Sequence, residues 1–228
     1  MAERTRHLRR AKSLTEQAAD EIRARIVFGD VALGSSLSEN TLAAELGVSK
    51  TPVREALLQL KSEGLVSIRP QRGSFVFDMS AAEIVQLGEL RETLELAALR
   101  LAAKHDAAGL VDELRAIIAN MRKALDRNNP AAYRKLDADF HRAFFDRSGN
   151  VYLLASYLGI AFRIQALRSR LSADPVLNRS SYTDHEKLCQ LVDDGRIDDA
   201  LTLLSSHVRR TVEDYAATID ARREAKAS

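Results

Sequence analysis

Asp137 and His141 stand four residues apart, a spacing that puts both on one face of a helix. Tyr133, Phe140 and Phe144 share that stripe, so the pair points into an apolar interior where unpartnered polar groups cost free energy. His185 falls on a second stripe with Leu188, Cys189 and Val192, and His207 on a third with Leu204, Val208 and Thr211. Three of the five histidines and one aspartate are thus aimed at a helical core. Imidazole nitrogens with one carboxylate suit a divalent cation, zinc first, with nickel, manganese and iron also compatible. The alternative is three histidines satisfied separately inside the core, and spacing alone leaves both readings open. His7 and His105 fit no such set, and Asp139 points to a different face. Cys189, one turn from His185, reads as a small buried hydrophobe.

Arg91 is a second anomaly, because it interrupts the apolar stripe Leu87, Leu94, Ala98 and Leu101. Glu95, four residues on, could neutralise it; otherwise the guanidinium faces a cavity and grips a carboxylate fork to fork. Arg163 and Arg168 are weaker candidates for the same pocket. A metal with open positions could also activate water, which would make the chain a metal-dependent hydrolase. That reading lacks its other parts, since no general base beside the ligands, no nucleophile motif and no phosphate-binding glycine loop is found.

A third set of residues has the chemistry of DNA reading. Leu42, Ala43 and Leu46 form the inner face of one short helix, Val53, Leu57 and Leu60 that of the next, with Gly47 and Val48 as the corner between them. Lys50, Thr51, Arg54 and Glu55 remain outward near the start of the second helix, where a recognition helix presents side chains to base edges. An arginine there can bind guanine O6 and N7 bidentately. Ser49 and Thr51 can donate to phosphates at a helix N-terminus, and Gln71-Arg72-Gly73 is a turn able to reach the backbone or the minor groove. The same layout also serves protein contacts in other winged helices.

Two regions with different patterns must position these groups. Helices are expected over 14–28, 39–46 and from Ser49 to about Glu63, with Ser38 and Ser49 as N-caps and 33–37 as a loop. Leu65–Ile68 and Ser74–Phe77, around a Pro/Gly turn, read as a hairpin. Three helices and a hairpin make a winged helix-turn-helix over 13–78. From 81 to 222 the pattern is all-helical, about six segments near 81–105, 109–127, 130–147, 150–171, 182–194 and 197–222, with fraying from Ala221. The fold class is mainly α: a winged helix-turn-helix joined to an antiparallel helical bundle.

Composition sets outer limits. Apolar residues are 46% of 228, enough for real cores, while the net charge of +2 says little about partners. Arg4, Arg6, Arg9, Arg10 and Lys12 make residues 1–12 a flexible basic arm, which reads equally as a phosphate-contacting segment or a solvated tail. The single Cys189 excludes an internal disulfide and suits a reducing compartment. The longest uncharged stretch, Ser148 to Phe162, is too short and polar to span a bilayer, and no apolar segment follows the N-terminal arginines. A soluble cytoplasmic protein with no membrane partner is expected.

The run Leu37-Ser-Glu-Asn-Thr-Leu-Ala-Ala-Glu-Leu-Gly-Val-Ser-Lys-Thr-Pro-Val-Arg-Glu-Ala-Leu57, then Glu63-Gly-Leu-Val66 and Arg72-Gly-Ser-Phe-Val76, resembles the N-terminal domain of the GntR family of bacterial transcription regulators. The resemblance implies DNA contacts from Lys50, Thr51 and Arg54, a minor-groove wing at Gly73, and a polar operator contact at Asn40. Some members carry arginine where this chain has Asn40 and Lys50, so the base-reading set differs. Arg91-Glu-Thr-Leu-Glu95, Asp137-Ala-Asp-Phe-His141, Ser148-Gly-Asn150 and the His185 and His207 helices look like the C-terminal domain of the FadR subfamily, in its six-helix VanR-type branch. That implies a divalent metal on Asp137, His141, His185 and His207, and a small organic acid held beside it with help from Arg91. The expected function is a homodimeric repressor on a near-palindromic operator in double-stranded DNA, modulated by that acid and metal. The rival within the same family resemblance is a helical half that only dimerises.

Overall fold

The structure is a computed structural model and describes residues 11–171 and 175–227. Of the basic arm, Arg4, Arg6, Arg9 and Arg10 lie outside the described residues. The chain divides into two compact units, residues 11–26 with 31–77, and residues 27–30 with 78–227.

In the first unit α1 (Leu14–Phe28) buries Ala19, Ile22 and Ile26, one face at helical spacing. It is tied across the unit by Arg23, whose Nε and Nη2 donate to Glu63 at 2.7 Å. Helix α2 (Glu39–Leu46) starts where the Ser38 hydroxyl accepts the Thr41 N–H, and stops at Gly47, whose φ of +66° is a left-handed turn that a Cβ would strain. Helix α3 (Lys50–Ser62) buries Val53, Ala56, Leu57 and Leu60 and packs on α2. Ser49 has the backbone of an N-cap, but its hydroxyl makes no capping bond. Val48 is half-buried at the corner rather than sealed inside it.

The wing is a three-stranded antiparallel sheet of β1 (Ser36–Leu37), β2 (Val66–Arg69) and β3 (Gly73–Val76), in the order β1-β3-β2. Val66 faces Val76 and Arg69 faces Gly73, so the hairpin expected from sequence forms. The segment read as a loop contributes the extra strand, pairing Ser36 with Phe75 and Leu37 with Ser74. Two residues carry no periodicity, so only the tertiary partner makes that strand. Gln71 (φ +59°) and Gly73 (φ +94°) form the left-handed turn at the tip.

The second unit is built around α4 (Ala81–Asp126), which packs on α5 (Pro130–Arg147), α6 (Val151–Leu171), α7 (Pro175–Asp193) and α8 (Ile197–Ala227). Ser80 and Glu83 form a reciprocal capping box at its start. The two helices expected over 81–127 run on as one, interrupted at Asp106, whose non-helical backbone lets its carboxylate accept the Gly109 N–H at 3.0 Å. Helix α7 begins seven residues before the expected 182, and α8 continues past the expected fraying point to Ala227. Asn129 caps α5, with Pro130 in its first turn. Phe140, Phe144 and Phe145 are fully buried; Phe140 meets Phe144 edge-on at 5.4 Å and Phe145 stacks on Tyr157 at 4.0 Å.

Helices α4 and α8 are in close contact at Gly88, where an added Cβ would lie 2.4 Å from Val212 Cγ2 and 3.1 Å from its Cβ. A β-branched neighbour has little rotamer freedom with which to yield. Gly88→Ala is therefore expected to destabilise the protein by about 1–3 kcal/mol, read as a lower urea midpoint at unchanged slope. An unchanged midpoint would show that the helices can separate without loss.

Candidate metal centre and nucleic-acid interface

Three helices deliver polar groups to one interior point. Helix α5 presents Asp137 and His141 one turn apart, α7 presents His185, and α8 presents His207. Each is buried, His141 and His185 completely. One ligating atom from each of the three imidazoles lies within 4.8 Å of the others, and the ring centroids are 5.0–5.3 Å apart. A metal with bonds of about 2.1 Å holds neighbouring nitrogens roughly 3 Å apart, so small ring rotations close the site. Asp137 joins from one side, its Oδ1 3.7 Å from His185 Nε2 and 3.4 Å from the Ser181 hydroxyl.

The protons on these rings are fixed by what surrounds them. His141 Nδ1 lies 2.8 Å from Glu95 Oε2. A carboxylate only accepts, so that nitrogen carries the proton and Nε2 presents its lone pair. Arg91 Nη2 donates toward that Nε2 at 3.3 Å. His207 repeats the pattern, Nδ1 donating to Asp184 Oδ2 at 3.0 Å. A carboxylate behind each imidazole orients the ring and raises its basicity, an arrangement usual behind metal-bound histidine. His185 stacks on Phe140 at 4.1 Å, and neither of its ring nitrogens has a hydrogen-bond partner although the side chain is fully buried. Leaving such a group unsatisfied costs about 1–3 kcal/mol, so the donor set has a demand that protein atoms do not meet.

Electrostatics keep the donors ready. Burial pushes His185 down to about 3, with Asp137 opposing only in part. His141 is held well below the ordinary imidazole range by burial and then by Arg91. Burial alone would raise Asp137, but Arg168 against its Oδ2, followed by the three imidazoles, holds it below the usual carboxylate range. Neutral imidazole beside ionised carboxylate is the state a divalent cation needs.

A cavity of about 90 Å³ opens on this cluster, with Asp137, His207, Arg168, Arg210, Ser181 and Thr211 on its wall. One water needs roughly 10–15 Å³ on that measure, so the space suits a molecule of a few heavy atoms. The arginines differ from the sequence-based expectation. Arg91 is buried behind the cavity wall, its Nε bonded to Glu95 Oε1 at 2.6 Å, while its Nη1 has no partner. Arg163 reaches back to the Gly159 carbonyl of its own helix and does not line the cavity. Arg168, the weaker candidate, lines it. Cys189 points away, toward the Val111 carbonyl, and burial raises its thiol. His105 bonds the Ser148 carbonyl at 2.8 Å, apart from the cluster.

Sequence reasoning missed Asp184 and Arg210. Asp184 adjoins His185 and Arg210 lies three residues past His207, yet no spacing within one helix links an aspartate on α7 to a histidine on α8. Glu95 was visible as a partner for Arg91, but its second oxygen, which orients His141, was not.

In the first unit, Asn40, Ser49, Lys50, Thr51, Arg54, Gln71, Arg72 and Gly73 are all exposed. Lys50, Thr51 and Arg54 lie in the first turns of α3. Arg54 is held by Glu39, with Nη2 2.8 Å from Oε2, and keeps 65% of its side chain exposed. Arg69 lies 4.6 Å over the Phe75 ring, bracing the base of the wing.

Residues 14–76 match the bacterial regulatory proteins of the gntR family, and residues 86–210 match the FCD domain, the FadR/VanR-type C-terminal domain. The chain belongs to the GntR family. An uncharacterized HTH-type transcriptional regulator of Streptomyces ambofaciens is 35% identical over 85% of this chain and 81% of its own. The gluconate operon transcriptional repressor of Bacillus subtilis is 32% identical over 60% of this chain and 56% of its own. Among solved structures, the fold matches Escherichia coli McbR/YncC with TM-score 0.78 at 22% identity, covering 91% of this chain and 99% of that one. A GntR regulator from Rhodococcus sp. RHA1 matches with TM-score 0.79 at 21% identity, covering 90% and 99%. GntR proteins are transcriptional regulators that bind DNA operators and are not enzymes. No helix among the described residues is long and apolar enough to cross a membrane.

Glu95 balances Arg91 and orients His141, so its removal strands a buried charge. Glu95→Ala is expected to cost about 3–5 kcal/mol in denaturant-induced unfolding, with Glu95→Gln costing less because an acceptor remains. Equal, small losses for both would show that the pair carries no structural weight.

Proposed function

We propose that this GntR regulator is a cytoplasmic homodimeric repressor whose operator affinity is set by a divalent metal and a small carboxylate held in the helical unit. The observation that carries the reading is the convergence of three buried imidazoles with Asp137, where His185 has no hydrogen-bond partner at either ring nitrogen. The residues fit the metal. His141 would bind through Nε2 in place of the Arg91 Nη2 donor that faces it, His207 through the nitrogen opposite its carboxylate-bonded Nδ1, His185 and Asp137 would complete the set, and zinc, nickel, manganese and iron suit those donors. Once bound, such an ion supplies Lewis acidity that attracts a carboxylate oxygen.

The chain's own cations complete the anion site. Arg168 supplies a guanidinium on the cavity wall, and the unpartnered Nη1 of Arg91 leaves a buried donor on the inner side of the imidazoles. The small volume supports a short organic acid rather than a long acyl chain. A dimer would present two copies of α3 to the half-sites of a near-palindromic operator. Effector and metal change operator affinity only by binding one state of the protein more tightly than another. Arg54 and Lys50 would read bases, Ser49, Thr51 and Asn40 would contact backbone or base edges, and Gln71, Arg72 and Gly73 would follow the neighbouring groove.

Two measurements test the two halves. Titration calorimetry of chelator-stripped protein with zinc, nickel and manganese is expected to give one site per chain. In His185→Ala the affinity should fall at least tenfold, and wild-type affinity in that variant would remove the metal site. For DNA, Arg54→Ala is expected to weaken specific operator binding by about 5- to 150-fold, the equivalent of one bidentate base contact, with non-specific binding little changed. A uniform loss on all sequences would instead make Arg54 a phosphate contact.

A further inference from the structure

The cavity beside the imidazoles is built from paired charges. Arg91 is paired with Glu95, Arg168 with Asp137, and Arg210 with Asp184. Arg134 and Asp214 complete the charged lining, one of each sign. The three arginines nearest the imidazoles are therefore each matched by one carboxylate. Imidazoles that bind a metal do so as neutral ligands and leave that balance unchanged. With a divalent cation in place the same enclosure carries two positive charges that no protein group offsets, and buried uncompensated charge is expensive. The ligand must then supply the missing anion.

The pairing also indicates where the ligand's charge would be held. Both carboxylates that occupy the cavity arginines are tied to the imidazole cluster. Asp137 is within 3.7 Å of His185, and Asp184 is bonded to His207 as well as to Arg210. A cation would draw Asp137 toward itself and, by making the His207 Nδ1–H a stronger donor, would draw Asp184 toward that ring; both shifts loosen Arg168 and Arg210, two of the three guanidinium groups on the cavity wall, beside the Ser181 and Thr211 hydroxyls.

We infer that the metal-loaded cavity takes a dianionic ligand, a short dicarboxylate, in preference to a monoanion of the same shape, with Arg168 and Arg210 holding the carboxylate remote from the metal. This rests on the metal reading above and specifies the acid that reading leaves general. Without the metal the enclosure is balanced, so the preference should disappear.

The test compares malonate, succinate and glutarate, each against its own monoamide, which keeps the shape and removes one charge. Binding is followed by calorimetry on zinc- or manganese-loaded protein and on chelator-stripped protein, with metal content checked by elemental analysis after each run. The loaded protein should bind at least one diacid ten times more tightly than its monoamide, and the stripped protein should discriminate less than twofold. Arg210→Gln is the variant of choice, because that side chain is 48% exposed and its loss does not strand Asp137 as loss of Arg168 would. At wild-type metal content it should narrow the preference to under threefold. Metal uptake with no diacid favoured over its monoamide would overturn this inference alone, as would a preference that survives stripping or one unmoved by Arg210→Gln. Absence of metal uptake would overturn both this inference and the reading beneath it.

Discussion

The helical unit is organised around one constraint: three imidazoles are buried at a single point, and each must be oriented there without its ring nitrogens all being satisfied by protein atoms. Burial keeps the His141 and His185 rings unprotonated. Glu95 and Asp184 fix the tautomers of His141 and His207 by accepting from their Nδ1 atoms. Those carboxylates have partners of their own in Arg91 and Arg210. The aromatic packing of Phe140 against His185 holds the third ring where no hydrogen bond does. Polar groups in a core are tolerated only when nearly all are satisfied, and the His185 ring is an exception at the centre of the cluster.

The DNA-reading unit answers to different physics. Its recognition helix starts at a serine whose hydroxyl is not spent on capping, and the neighbouring Lys50, Thr51 and Arg54 project into solvent. Side chains exposed at a helix N-terminus suit the approach of a polyanion. Glu39 occupies Arg54 in the meantime, so a base contact exchanges one acceptor for another rather than ordering a loose side chain. Each unit therefore stores its ligand-seeking groups as internal pairs.

How much of this the sequence disclosed depends on how local the determinant is. The hydroxyl cap of Ser38, the left-handed Gly47 and the apolar faces of α2 and α3 are encoded within a few residues of where they act, and those elements form where expected. So does the Asp137–His141 pair, because four residues on a helix bring two side chains together whatever the tertiary fold. Strand β1 was invisible, since Ser36 and Leu37 become a strand only by pairing with β3. The early start of α7 was missed for a different reason: Asp174-Pro175 reads as a break after the preceding helix, although Pro is equally at home in the first turn of the next. The arginine roles were the least legible. Whether Arg91, Arg163 or Arg168 faces the cavity is decided by helix rotation, and a stripe pattern resolves that only to within about a turn. The partnership of Asp184 with His207 depends on how α7 meets α8, which no short motif encodes.

The most direct test of a metal held by imidazoles is X-ray absorption at the metal edge of the loaded protein. A shell of nitrogen and oxygen donors at about 2.0–2.2 Å is expected, with outer-shell scattering that fits three imidazole rings. Scattering from a sulfur ligand, or a shell of oxygens with one ring or none, would contradict it.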